Sequence, residues 1–196
     1  TINGLGGHAA KPQIAVDPTI VGSHIVIALQ SIVSRNADPT DQIVVSVTSF
    51  ETSSTAFNVI PQTVVLRGTV RTLSDETRDL AEKRLEEIAR KTGDVFGANV
   101  DPVYTRGYPV MTNSVDQTEF AASVAKSVSG YCEEAPLVMG GEDFSYMTIE
   151  RPGAYILIGN GDSAPVHNPN YNFNDEAISI GCSWWAEIIE KRMPVG

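Results

Sequence analysis

The sequence predicts an α/β chain of the α+β kind, built in two parts. Three observations carry this assignment. β-branched runs and amphipathic helical stretches follow one another through the first 107 residues, the pattern resets at Arg106-Gly107-Tyr108-Pro109, and residues 108–196 hold helices and strands without a complete β-α-β set. With 196 residues, 42% of them hydrophobic and 19% charged, the chain is long and apolar enough to bury a core without staples.

The elements follow in order. Thr1 to Leu5 reads as a short opening strand. Asp17-Pro18 pairs a capping acid with a proline at the first helical position, and Ile20, Ile25, Ala28, Leu29 and Ile32 recur at helical spacing, which predicts a helix over 18–35. After the turn cluster Asn36 to Asp41, the β-branched run 42–49 predicts a strand, and a Ser/Thr-rich loop covers 51–56. Residues 63–72 predict a second long strand with Val64, Leu66 and Val70 on its buried face. Ser74 and Asp75 cap a charged helix whose stripe is Leu80, Ala81, Leu85, Ile88 and Ala89, ending near Thr92-Gly93. A further strand is expected over 98–105, its Pro102 suiting an edge. The resulting β-α-β-β-α-β order over 1–107 is ferredoxin-like, with both helices on one face. Residues 108–196 predict a helix at 116–128, an apolar piece at 135–139, a buried strand at 153–159 and a closing helix after Asn174. That last helix has an apolar face of Ile178, Cys182, Trp185, Ile188 and Ile189.

Charge narrows the partners. Lys and Arg number 14 against 24 Asp and Glu, a formal charge of −10, so the chain would repel phosphate backbones and anionic bilayers. The longest apolar runs fall far short of the roughly 20 residues that span a bilayer, and no signal peptide is visible. Neither nucleic acid nor membrane is therefore an expected partner. Cys132 and Cys182 have no metal or redox spacing and read as ordinary buried thiols of a reduced, cytoplasmic compartment. The start, Thr1-Ile2-Asn3-Gly4-Leu5-Gly6-Gly7, lacks a methionine and runs at once into a glycine turn, which reads as a chain entered in the middle.

Only three histidines are available. His24 lies inside the first helix and reads as structural. His8, in Gly6-Gly7-His8-Ala9-Ala10, sits on a loop between strand and helix, where functional side chains concentrate. His167 lies in the turn-rich run Pro165 to Asp175 before the last helix, as a ligand, a base or simply a turn residue. Gly140-Gly141-Glu142-Asp143-Phe144 either brings carboxylates close to a ligand or marks a helix N-terminus. No HExxH, CxxC, GxSxG, P-loop or GxGxxG arrangement is present.

Six segments in order, Gly6 to Pro12 with Asp17-Pro18, Ala28 to Arg35, Ala56-Phe57-Asn58-Val59-Ile60-Pro61, Leu66 to Arg71, Gly140 to Phe144, and His167-Asn168-Pro169 with Phe173-Asn174-Asp175, closely resemble the metal-dependent amidohydrolases typified by hippurate hydrolase. That group includes hydrolases of N-acyl amino acids and auxin conjugates and some carboxypeptidases. The resemblance implies a ferredoxin-like lid and dimerisation domain at 1–107, then the C-terminal part of an α/β zinc-peptidase-like catalytic domain at 108–196. It implies a homodimer, a small N-acyl amino acid or peptide as substrate, and a divalent metal (Zn, Mn, Co or Ni) in the whole protein.

Residue by residue, His167 is similar to the last metal ligand. His8 is similar to the lid histidine that reaches the partner subunit's active site and stabilises the oxyanion of the tetrahedral intermediate. Asn58 and Arg71 resemble substrate contacts, Arg71 near the substrate carboxylate, and Glu142 matches an acid beside the metal cleft. Gln13 departs from the pattern, standing where relatives often have histidine. The family's Cys-x-His, glutamate pair and further histidine lie upstream of the lid and are not in this sequence, which implies that the chain alone is inactive. Two other readings stand beside this one: a self-associating or ligand-binding module without chemistry, and a small-molecule regulatory domain, against which the His167 loop argues.

Overall fold

The Asp17 carboxylate accepts the Thr19 amide at 2.8 Å and Pro18 occupies the first helical position, so α1 runs from Pro18 to Ser31. A single π turn, Ile32–Asn36, extends it, closed by the Ala37 amide on the Ile32 carbonyl. In the computed structural model, which describes residues 1–194, this helix belongs to the first of two units, Thr1–Val110 and Met111–Gly196.

The first unit contains β1 (Ile2–Asn3), β2 (Gly7–His8), β3 (Ile43–Thr52), β4 (Val59–Ile60), β5 (Thr63–Thr72), α2 (Asp75–Phe96) and β6 (Asn99–Val100). Four strands form an antiparallel sheet in the order β3-β5-β1-β6, and β2 pairs separately with β4. It follows that β1 and β3 are parallel with β5 between them, joined through α1, while β5 and β6 are parallel with β1 between them, joined through α2. These are two interleaved split β-α-β units. One core serves both helices and all four strands, with Ile2, Val21, Ile25, Ile32, Val45, Val64, Ala81 and Val100 at its centre and Leu66 and Val70 packed against it.

Three expectations change here. The inward stripe of α1 runs through Val21, Ile25 and Leu29, and Ile20 is exposed, because adjacent helical residues differ by about 100° and only one can face the sheet. The second helix continues through Gly93 to Phe96 and stops at Gly97, whose φ is +74°. Gly93 is a packing position, since a Cβ there would lie 2.4 Å from the Val100 side chain and 2.9 Å from the Ala98 carbonyl oxygen. The strand expected at 98–105 shortens to β6, because Pro102 offers no N–H and pairing ends with the Asp101 amide on the Thr1 carbonyl.

The second unit contains α3 (Val115–Ser129), α4 (Ser145–Glu150) and α5 (Glu176–Arg192) around a smaller core of Ala121, Val124, Ala125 and Trp184. The Trp184 indole donates to the Ala121 carbonyl at 3.2 Å, which ties α5 to α3. Two readings are corrected. The expected apolar face of α5 turns largely outward: Trp185 is 62% exposed, and Ile178, Cys182 and Ile189 are exposed too, whereas Trp184 is 7% exposed and buried with Ile188 beside it. Residues 153–159 form no strand, because no neighbouring strand pairs with them among the described residues. Ala154 and Ile156 pack inward, but Leu157 and Ile158 are exposed. Of the two thiols expected to be buried, Cys132 is half-buried and Cys182 exposed. Among the described residues no helix is long and apolar enough to cross a membrane.

Gly93→Ala separates packing from propensity. In an open helix it would gain about 1 kcal/mol. Against Val100 it is expected to cost about 1–3 kcal/mol instead. The urea midpoint of the α1 and β5 amide resonances should therefore fall; a rise would contradict the tight approach of α2 to β6.

Candidate functional site

The position of His8 follows from a change of register. Ile2 opposes Val64 and Asn3 opposes Thr63, yet Gly7 opposes Ile60 and His8 opposes Val59. Three residues, Gly4-Leu5-Gly6, thus face two, Pro61-Gln62. One extra residue in an extended segment turns every later side chain to the other face, and such bulges re-aim side chains beside active sites. Ile2 is buried in the core, whereas His8 is exposed. The glycines make the approach possible: a Cβ on Gly4 would lie 2.2 Å from the Val16 carbonyl oxygen, and one on Gly6 would lie 2.9 Å from that of Ile60.

Beyond the bulge His8 is fixed locally. The Ala10 amide donates to its Nδ1 at 3.1 Å, and its carbonyl accepts the Lys11 amide at 2.8 Å. A neutral imidazole that accepts at Nδ1 carries its proton on Nε2, so His8 offers an Nε2–H donor. It lines an open cleft of about 500 Å³ together with Gly6, Ser53, Asn58 and Gln62. The Asn58 carbonyl accepts the Ala9 amide at 3.0 Å, which couples the two candidate residues through the backbone. Phe57 beside it is wholly exposed. Arg71 lies elsewhere, opposite Val44 near the far end of β5, and is outside the cleft lining.

In the second unit, Glu142 immediately precedes the short α4. Its carboxylate accepts the Phe144 amide, and its carbonyl accepts the Ser145 hydroxyl at 2.6 Å. A hydrogen bond from the Tyr155 hydroxyl, then the Phe144 amide, hold the Glu142 carboxyl below its ordinary pKa, and the same bond raises that of Tyr155. Tyr155 is itself positioned by Asn113, whose side chain brackets its backbone with bonds of 2.8 and 3.0 Å.

His167 adopts a φ of +68°, the one positive value at a non-glycine residue among the described residues. It occupies the third position of a turn closed by the Asn168 amide on the Pro165 carbonyl at 3.1 Å. Left-handed backbone at a residue other than glycine costs roughly 1–2 kcal/mol and clusters at functional sites. The loop's ends are gathered by Asn160, whose side chain accepts the Asn174 amide at 2.7 Å and donates to the Asn172 carbonyl at 2.8 Å. Among the described residues no group of three or more His, Cys, Asp or Glu could hold a metal ion. His8 and Asn58 are thus brought together, while Glu142 and His167 stand on separate loops of the other unit. The sequence reading did not single out Gln62, Tyr155 or Asn160; a side-chain amide or hydroxyl without periodicity leaves no local signal, though Gln62 directly follows the segment Ala56 to Pro61.

The model of peptidase family M20/M25/M40 matches residues 5–191. The chain is 35% identical over 194 residues to hippurate hydrolase of Campylobacter jejuni, covering 97% of this chain and 50% of that protein. It is 34% identical to N-acetyldiaminopimelate deacetylase of Enterococcus faecalis, covering 92% and 48%. A Bacillus subtilis structure described as a dinuclear metal-binding peptidase of the M20 family superposes with a TM-score of 0.70 at 26% identity, covering 95% of this chain and 48% of that one. The chain spans about half the length of the curated relatives it matches.

Tyr155→Phe tests the Glu142 pair. Glu142 has a lowered folded pKa, so its contribution to stability is present above its unfolded pKa and is lost as pH falls through the folded value. Removing the Tyr155 hydroxyl should move the Glu142 carboxyl midpoint upward toward the ordinary range in a carbon-13 NMR titration. An unchanged midpoint would contradict the hydrogen bond as the main cause.

Proposed function

Because the chain belongs to peptidase family M20/M25/M40, we propose that it is part of a metal-dependent amidohydrolase that cleaves the amide bond of N-acyl amino acids or related small peptides. Residues 1–107 are its lid and dimerisation domain, of ferredoxin-like form, and residues 108–196 are the C-terminal part of its catalytic domain. The enzyme is a homodimer of the cytoplasm, and His8 of one subunit serves the centre of the other. The relatives named as hippurate hydrolase and N-acetyldiaminopimelate deacetylase support the substrate class.

One observation carries the role of His8: its Nδ1 is already engaged by the Ala10 amide. Amide hydrolysis builds negative charge on the carbonyl oxygen, and a preorganised donor aimed there stabilises the transition state more than the ground state. A neutral imidazole with Nε2–H free to donate meets that need without first taking a proton. Asn58, in the same cleft, supplies a carboxamide that donates to the substrate and accepts from it.

His167 offers an imidazole from a strained turn braced by Asn160, which fits the last protein ligand of a divalent ion, Zn, Mn, Co or Ni. When bound, such an ion supplies Lewis acidity that activates water and polarises the acyl carbonyl. Glu142, kept ionised by Tyr155 and Phe144, adds a fixed negative charge to its own loop. Arg71 stands outside the cleft, and the mechanism does not use it. A catalytic ion needs about three protein ligands. We propose in addition that the 196-residue chain by itself does not turn over. The second reading is a self-associating or ligand-binding module with no chemistry of its own.

The two readings separate in one assay of amino-acid release from N-acyl amino acids, with each metal added in turn. The whole encoded protein should turn over, and the 196-residue chain should not. In the whole protein His8→Ala should lower kcat about 10²–10³-fold with little change in KM. An inactive whole protein would support the module, and full activity of His8→Ala would remove the proposed donor.

A further inference from the structure

We propose that Gln62 is a positioning residue that holds the bulge beneath His8 and thereby sets the direction and tautomer of its imidazole. The proposal rests on the reading of His8 as the carbonyl donor, but its test does not depend on turnover.

The bulge creates a gap in hydrogen bonding. Opposite Gly4-Leu5-Gly6 the chain offers Pro61, which has no N–H, and Leu5 has turned away to pair with Val16 through bonds of 2.9 and 3.0 Å. The Gly4 carbonyl and the Gly6 amide are left facing the Gln62 side chain. Its carboxamide answers both: Nε2 donates to the Gly4 carbonyl at 2.7 Å, and Oε1 accepts the Gly6 amide at 3.0 Å. A carboxamide carries the same donor and acceptor as a peptide group, so Gln62 takes the place of the peptide that the bulge and the proline remove.

The residue is itself anchored from both sides. Its backbone carbonyl accepts the Gly4 amide at 3.0 Å, and its amide donates to the Ser53 hydroxyl at 3.1 Å. The Ser53 hydroxyl also accepts the Thr63 amide at 3.1 Å, which closes the segment between β3 and β5 that carries Asn58. All the polar groups of Gln62 are therefore engaged. They connect the segment before His8 to the loop bearing Asn58, across 56 positions of sequence between Gly6 and Gln62. Gly6 is two residues from His8, and the Ala10 amide that fixes Nδ1 lies two residues beyond it. Loosening the bulge lets Gly4–Gly6 slide by one residue, and that slip turns His8 over.

Glutamine is suited to this task in a way that its near neighbours are not. Glutamate keeps an acceptor for the Gly6 amide but sets a carboxylate against the Gly4 carbonyl. Methionine has similar length and makes neither bond.

The test uses the 196-residue chain labelled with nitrogen-15. In the wild type, the long-range imidazole spectrum of His8 should report the Nε2–H tautomer, and the Gly6 and Ala10 amides should be protected. Gln62→Met should shift His8 toward a tautomer mixture and speed exchange of the Gly6 amide about fivefold, the factor carried by one net hydrogen bond. Gln62→Glu should retain the Gly6 protection better than Gln62→Met does. Val70→Ala, which weakens the core away from the cleft, serves as the stability control, compared at equal distance below each melting point. An unchanged His8 spectrum in Gln62→Met would overturn the proposal, as would equal loosening of His8 in Val70→Ala. Failure of the reading of His8 as the carbonyl donor would appear separately, as full turnover by His8→Ala in the whole protein.

Discussion

The first eight residues of this chain have to satisfy two partners at once. Ile2 and Asn3 complete the main sheet between β5 and β6, and Gly7 and His8 pair with the short strand just before β5. Between them the register slips by one residue, and much of the functional architecture depends on that slip. It leaves Ile2 sealed in the core and His8 exposed in a cleft. A continuous ladder would have given the two side chains the same face. The slip needs two glycines for close approach, a proline that cannot donate, and a side chain that repairs the backbone pairing.

A similar device recurs in the second unit. The loop bearing His167 holds a left-handed residue, an arrangement that persists only when its surroundings over-determine it. Asn160 does this by bonding to the backbone on the far side of the loop at Asn172 and Asn174. In both places a side-chain carboxamide serves as a movable peptide group, bracing an irregular segment that presents a histidine. Neither brace needs to touch substrate. Glu142 is held in a related way, by a tyrosine whose own backbone is bracketed by Asn113.

How much of this was legible in the sequence depended on how local its cause was. The Asp17-Pro18 start, the Ser74 cap and the strand at 63–72 were readable, because their signals lie within a few residues of what they determine. The inward faces of α1 and α5 were read with errors: Val21 and Trp184 adjoin Ile20 and Trp185, and hydropathy alone does not say which of two neighbours meets the partner. The strand at 153–159 has the alternation of a strand, but a strand also requires a neighbour. His8, Asn58 and His167 were singled out from loop position and ordered motifs. The structure then supplied what motifs lack, namely the Ala10 amide on His8 Nδ1, the shared cleft with Asn58 and the left-handed backbone of His167. The register slip was beyond reach, since it depends on pairing between segments more than 50 positions apart.

On the reading proposed above, His8, held on this edge, completes the catalytic centre of a second copy. Mixing whole-length His8→Ala and His167→Ala variants, each inactive alone, measures this directly. Half of a randomly reassociated two-fold dimer population is mixed, and each mixed dimer regains one intact centre if His8 acts across the interface. The account therefore predicts recovery of about a quarter of wild-type activity after subunit exchange. No recovery, with exchange verified by mass, would contradict it.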